Sequence, residues 1–173
     1  LLCVRFKLPE SGWLPVELID GEQRFVEWVS YVPNDFPGDL ASAVRLALGG
    51  IDAEAVANTE PREFAFRLRP DGGVIHFDVA LRIRKPWGGQ TYGDSKIAVS
   101  ADRLQLVGAF RSAFAELGAM VTPEEYQRRM RSPFPTATLG KLDADLAAAG
   151  VPIPPPPPAR PASASRGRRA SRC

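Results

Sequence analysis

The chain is poor in the residues that most often build reactive centres. Of its 173 residues one is a histidine, His76, and two are cysteines, Cys3 and Cys173. A structural zinc site takes about four nitrogen or sulfur ligands, so such a site and a His-based metal centre both lack donors. Carboxylate-bound Mg²⁺ or Ca²⁺ stays open, yet nothing singles out a cofactor or metal, and none is expected. The cysteines stand at opposite ends, one in an expected strand and one closing the tail. That is no disulfide framework, and it fits a reducing, cytoplasmic setting. Long apolar runs are missing too. None approaches the roughly 20 residues that cross a bilayer, so no transmembrane segment is expected. The opening LLCVRFKLPE carries Arg5 and Lys7 inside its apolar stretch and reads as neither signal peptide nor lipid anchor.

Net charge is also small, but it is unevenly placed. From Val151 onward there are five arginines (Arg160, Arg166, Arg168, Arg169, Arg172) and no acid. Subtracting those five from the formal net charge of +2 leaves −3 for residues 1 to 150. A body of that sign lacks the positive patch with which a fold grips phosphates. Only the tail, through Arg166, Arg168, Arg169 and Arg172, offers weak, salt-sensitive contact with nucleic acid. The segment VPIPPPPPARP dictates extended polyproline geometry, and ASASRGRRASRC has no large apolar side chain to anchor it. The expected division is one α+β domain over 1–150, then a Pro-rich spacer and disordered basic tail over 151–173.

What is present builds one ordinary core: 45% of the residues are apolar, over a length typical of a single domain. Residues 2 to 8, LCVRFKL, alternate like a half-buried strand. WLPVELI and QRFVEWVSYV flank Asp20-Gly21 as a hairpin; pairing around those two residues sets Glu17 opposite Arg24 and Trp13 opposite Trp28, and a longer loop is the alternative. REFAFRL and VIHFDVALRIRK flank Asp71-Gly72, which sets Leu68 opposite Ile75, Phe66 opposite Phe77 and Phe64 opposite Val79, all on the core face. Arg67, His76, Asp78, Arg82 and Arg84 then share the wet face. A helix follows Asp35 as N-cap, with Pro37 in its first turn and Phe36, Leu40, Ala43, Val44 and Ala47 as its buried stripe. Asp39 suits the positive end of that helix. A second helix starts from a Ser100 cap and runs to Gly118. A third starts at Thr122-Pro123 with Glu125 completing a capping box, and a last short one carries Leu139, Leu142 and Leu146. The expected fold is α+β: a five-stranded antiparallel sheet, in the order β-β-β-α-β-β-α-α, with helices packed mainly on one face.

Two constellations bear on function. WGGQTYGDSK, residues 87 to 96, has the Gly88 to Gly93 spacing that begins a phosphate-binding loop. The Lys that must follow the second glycine is replaced by Asp94, whose carboxylate repels phosphate oxygens. Read instead as a loop, the stretch offers Trp87 and Tyr92 as exposed aromatic anchors for a partner, unless they fold back over the core. Asp94, with Asp35 and Asp39, adds acidic contacts. His76 and Asp78, two apart on one strand, have the makings of a general base, but no nucleophile lies near them in sequence.

The run VSYVPNDFPGDLASAVRLAL, followed by EPREFAFRLRPDGGVIHFDVALRI, resembles a group of small uncharacterised bacterial α+β proteins, some of them similar to the immunity proteins encoded beside bacterial toxins. The resemblance covers residues 13 to 84 and carries no catalytic motif. It implies a non-enzymatic domain that binds and blocks a protein partner. Two other readings stand beside it: a small hydrolase or transferase using His76, Asp78 and the 86–94 loop, and a nucleic-acid-associated protein acting through its tail.

Overall fold

The structure, a computed structural model, describes residues 1–151. The expected polyproline spacer, the tail arginines and Cys173, and with it any pairing of the two cysteines, lie outside the described residues. The elements run β1 (Cys3–Phe6), β2 (Trp13–Asp20), β3 (Gln23–Ser30), α1 (Phe36–Leu48), β4 (Ala53–Asn58), β5 (Glu63–Asp71), β6 (Val74–Arg84), β7 (Gln90–Asp102), α2 (Arg103–Met120), α3 (Pro123–Met130) and α4 (Thr136–Ala148). The class is α+β, but the expected five strands are corrected to seven, paired antiparallel in chain order.

The two strands hidden from the sequence have different reasons for hiding. β4 is AEAVAN, and alanine is a poor strand former. Its small side chains suit the place it occupies, with Ala55 and Ala57 buried in the core. β7 contains Gly93, Asp94 and Ser95, which read as loop. The β6–β7 ladder absorbs that interruption through register shifts at Val79/Ala80 and Ala80/Arg82, as bulges do. Because β7 runs on to Asp102, Ser100 is not a helix cap. The Asp102 carboxylate takes that role, accepting from the backbone N–H groups of Leu104 (2.9 Å) and Gln105 (3.1 Å).

Both hairpins correct the expected register by two residues, for one shared reason. Their central residues are Gly21-Glu22 and Gly72-Gly73, one place later than Asp20-Gly21 and Asp71-Gly72. Gly21 and Gly72 each have φ of 56° at the first central position. Glycine there with positive φ marks a type II′ turn, whereas Asp-Gly as the central pair marks type I′. Trp13 therefore faces Ser30 and Glu17 faces Val26, while Leu68, Phe66 and Phe64 face Phe77, Val79 and Leu81. An even shift leaves every side chain on its own face. Phe66 and Phe77 are both buried, ring centroids 6.1 Å apart, and His76 is exposed on the opposite side.

The sheet is two ladders, β1–β3 and β4–β7, joined by a single pair, Ser30 with Asn58. The ladders fold toward each other. Phe25 of β3 sets its ring edge-on against Phe64 (5.2 Å) and Phe66 (5.6 Å) of β5. The Gln23 side-chain amide accepts from Ala98 N–H (2.9 Å) and donates to Ala98 C=O (3.3 Å), closing on the outer edge of β7. The helices complete the core: Phe36 of α1 meets Phe66, Phe110 of α2 meets Phe77, and Phe114 meets Phe6. The expected stripe of α1 is buried throughout. Arg45–Asp145 (2.7 Å) and Arg111–Asp143 (2.6 Å) tie α4 to α1 and α2. Thr122 caps α3 through Glu125 N–H, but the Glu125 side chain pairs with Arg129 (2.7 Å) and leaves the capping box half made.

Candidate functional site

The outward face of β5–β7 gathers the polar residues that alternation assigns to it. Cross-strand pairing sets Arg67 beside Asp78 and Arg69 beside His76, with Ser100 on the far side of His76. Asp78 is only 3% exposed. A carboxylate so buried is costly unless its oxygens are met by donors. Here they are: Arg67 donates through its guanidinium, Arg69 Nη2 at 2.7 Å and Ser95 Oγ at 3.0 Å. Asp78 is therefore committed to two arginines and a serine. His76 instead places Nδ1 2.8 Å from Ser100 Oγ. A cleft of about 360 Å³ opens here, lined by Arg69, His76, Asp78, Ala98 and Ser100 among others.

Neither hydroxyl was foreseen, because residues 90 to 102 read as loop and cap. The usable signal was the alternation of KIAVS, where Ile97 and Val99 are buried and Ala98 and Ser100 face out. The His76–Ser100 contact is the first half of a nucleophile–base arrangement. The carboxylate that would orient the imidazole is held elsewhere.

Further along the same face, charges again meet in pairs. Glu63 accepts from Arg82 (2.9 Å) and Arg84 (2.7 Å), and Arg82 also approaches Glu54 at 3.6 Å. Burial pushes the Glu63 carboxyl upward, but the hydrogen bonds and charges of Arg84 and Arg82 outweigh it and leave its pKa below the ordinary value. Tyr92 donates its hydroxyl to Glu54 at 2.6 Å, and the Arg67 guanidinium lies 4.2 Å from its ring centroid. Burial, then the hydrogen bond and charge of Glu54, hold the Tyr92 phenol above its usual pKa.

Beyond the row Asn58–Glu63–Arg82–Tyr92, β6 and β7 continue without β4 or β5 beside them. Ile83 pairs with Thr91 and Arg84 with Gln90, forming a two-stranded arm. Its tip is closed by Lys85 N–H to Gly89 C=O and Gly88 N–H to Lys85 C=O, both 3.1 Å. Gly88 and Gly89 have φ of 92° and 80°, values that favour glycine strongly. Trp87 sits on this tip and is 82% exposed. The GG…G stretch is thus a tight turn leading into a strand. A phosphate loop leads into a helix N-terminus, so the geometry agrees with the argument from Asp94.

Of the residues expected to meet a partner, Trp87, Tyr92 and Asp94 share the β6–β7 hairpin. Trp87 and Asp94 are exposed, while Tyr92 is half-buried and engaged. Asp35 and Asp39 lie apart from them, at the start of α1. Asp35 occupies the N-cap position but makes no capping hydrogen bond. Asp39 is held above its ordinary pKa by burial and then by the Asp35 charge. Burial and Asp35 also raise the phenol of Tyr126, whose hydroxyl is enclosed without a hydrogen-bond partner among the described residues.

Among the described residues no group of three His, Cys, Asp or Glu is placed to hold a metal, and no helix is long and apolar enough to cross a membrane. Comparison with protein-family models, curated proteins and solved structures finds no match to this chain.

Proposed function

We propose that the chain is a non-enzymatic protein-binding domain, of the immunity type that neutralises a bacterial toxin, and that the β6–β7 arm is its contact. The observation that carries this is Trp87, the most exposed large hydrophobic side chain among the described residues after Leu1. It stands on a glycine turn beyond the main sheet. Apolar surface of that size in water is unfavourable by roughly 25 cal/mol per Å², and tryptophan is enriched where proteins dock. The arm is braced at its base by the Glu63–Arg82–Arg84 pairs, so the indole is presented from a rigid support that binding need not order. The mildly acidic body suits a basic partner such as a nuclease toxin, which it would attract before contact.

The test is affinity capture of the full chain from its host, with Trp87→Ala run in parallel. The reading expects a stoichiometric partner whose enzymatic activity the chain suppresses, with binding weakened at least about 100-fold by the substitution. A partner retained equally by both proteins places the contact elsewhere.

One observation favours a second reading: Ser100 Oγ lies within hydrogen-bond reach of His76 Nδ1 beside an open cleft. A small hydrolase built on that pair predicts turnover of activated esters that His76→Ala abolishes. Unchanged turnover in that variant removes His76 from any such role. The third expectation, nucleic-acid contact through the arginine tail, rests on residues outside the described part.

A further inference from the structure

We infer that the outer edge of β3 is a self-complementary docking site for a second copy of this chain, joined strand to strand about a two-fold axis at Val26. Backbone geometry identifies the edge. The two-residue turn makes Asp20 and Gln23 a hydrogen-bonded pair, and in an antiparallel ladder such pairs recur every second residue. Odd-numbered residues of β3 therefore aim their N–H and C=O groups at β2. Tyr31 N–H continues that pattern to Gly12 C=O at 3.0 Å. The even-numbered residues Arg24, Val26 and Trp28 aim theirs the other way. There the only ladder pair is Ser30 with Asn58, and no backbone partner for those three exists among the described residues.

An unpaired strand edge is a template for another strand, and proteins that must avoid this place charge, proline or a covering element over it. Here the outward side chains beside the open groups are one charge, Arg24, 62% exposed, and two apolar residues, Val26, 45% exposed, and Trp28, 50% exposed.

The side chains specify the occupant. In antiparallel self-pairing about Val26, each Val26 meets its own copy and Arg24 of one chain lies opposite Trp28 of the other. That sets a guanidinium, 62% exposed and donating to Glu17 at 2.6 Å in its own chain, against an indole twice over, a cation–π contact that leaves this bond in place. A two-fold interface demands this reciprocity, residue i meeting j and j meeting i. About six backbone hydrogen bonds would form, two for each of three facing pairs. The open window also ends where the incoming chain must leave. Past Trp28 lies the Ser30–Asn58 pair, and past Arg24 the incoming hairpin turns away at Gly21-Glu22. This surface is separate from the arm and stands whether or not Trp87 binds a partner.

The test is sedimentation of the full chain over about two decades of concentration, with reductant present so that no intermolecular disulfide contributes. A monomer–dimer equilibrium is expected. Val26→Lys sets two ammonium groups face to face on the axis and should weaken the dimer at least about tenfold, while within one chain the new lysine lies opposite Glu17 and the dilute monomer's melting temperature should not fall. Trp28→Arg, which sets like charges opposite each other, should do the same. Trp28→Glu, which sets a carboxylate opposite Arg24, should keep the dimer. A chain that is monomeric throughout, a dimer that survives Val26→Lys, or equal behaviour of the two Trp28 variants overturns the inference.

Discussion

The outward surface of the sheet changes character between its two ladders. On β4–β7 it is a charged lattice in which the partly or wholly buried carboxylates are answered: Asp78 by Arg67, Arg69 and Ser95, Glu63 by Arg82 and Arg84, Glu54 by Tyr92. On β1–β3 the buried Glu17 is likewise answered, by Arg24 and Arg5, but beside it on β3 stand Val26 and Trp28, next to backbone groups that have no partner among the described residues. The inner faces of both ladders are the same apolar core. A residue's presence on a wet face thus says little about whether it is free to act. On one ladder the polar groups satisfy one another and leave little for a substrate. On the other, the apolar groups and the strand edge remain to be satisfied by another molecule.

That contrast can be broken at three places, in falling order of effect. Arg67→Ala should destabilise the fold by about 1–3 kcal/mol, because it strips a donor from a nearly enclosed carboxylate; urea unfolding measures this, and a loss smaller than that of an ordinary surface substitution would contradict the account of Asp78. Glu63 gives a pH signature. Its folded pKa lies below its ordinary value, so its stabilising contribution is present above the unfolded pKa and disappears as pH falls through the depressed folded value. In Glu63→Gln the acid-side decline in melting temperature should be shallower than in the parent; an identical decline would show that the arm's base is held by something else. The smallest effect belongs to the apolar side. Trp28→Ala should leave the monomer's stability within about 0.5 kcal/mol, since half of that side chain already faces water. A larger loss, measured in dilute protein, would mean that the ring supports the ladder.

Much of the core could be read from alternation and helical spacing. Phe64, Phe66 and Leu68 fall on one face because strands repeat every two residues, and α1 buries the stripe its spacing describes. What could not be read was set at long range. β4 pairs because α1 covers its alanines, and no local preference announces that. Whether Gly21 and Gly72 are first or second in their turns depends on backbone angles the letters D-G leave open. At the site, Trp87 and Tyr92 look alike as aromatics of one glycine-rich stretch. They part company because Arg67 and Glu54, distant in sequence, claim Tyr92, while among the described residues none claims Trp87. Ser100 entered the site only once β7 existed to carry it past His76.

The Gln23 amide that closes on Ala98 has a consequence for how this molecule breathes. Ala98 N–H is protected by one side chain at a hairpin end, while the backbone groups of Ile97 and Val99, its neighbours, turn inward to β6. Lifting of the hairpin exposes that single amide and leaves the adjoining two shielded. Deuterium uptake at Ala98 therefore clocks the separation of the two ladders on its own, distinct from the slower event in which the whole structure melts.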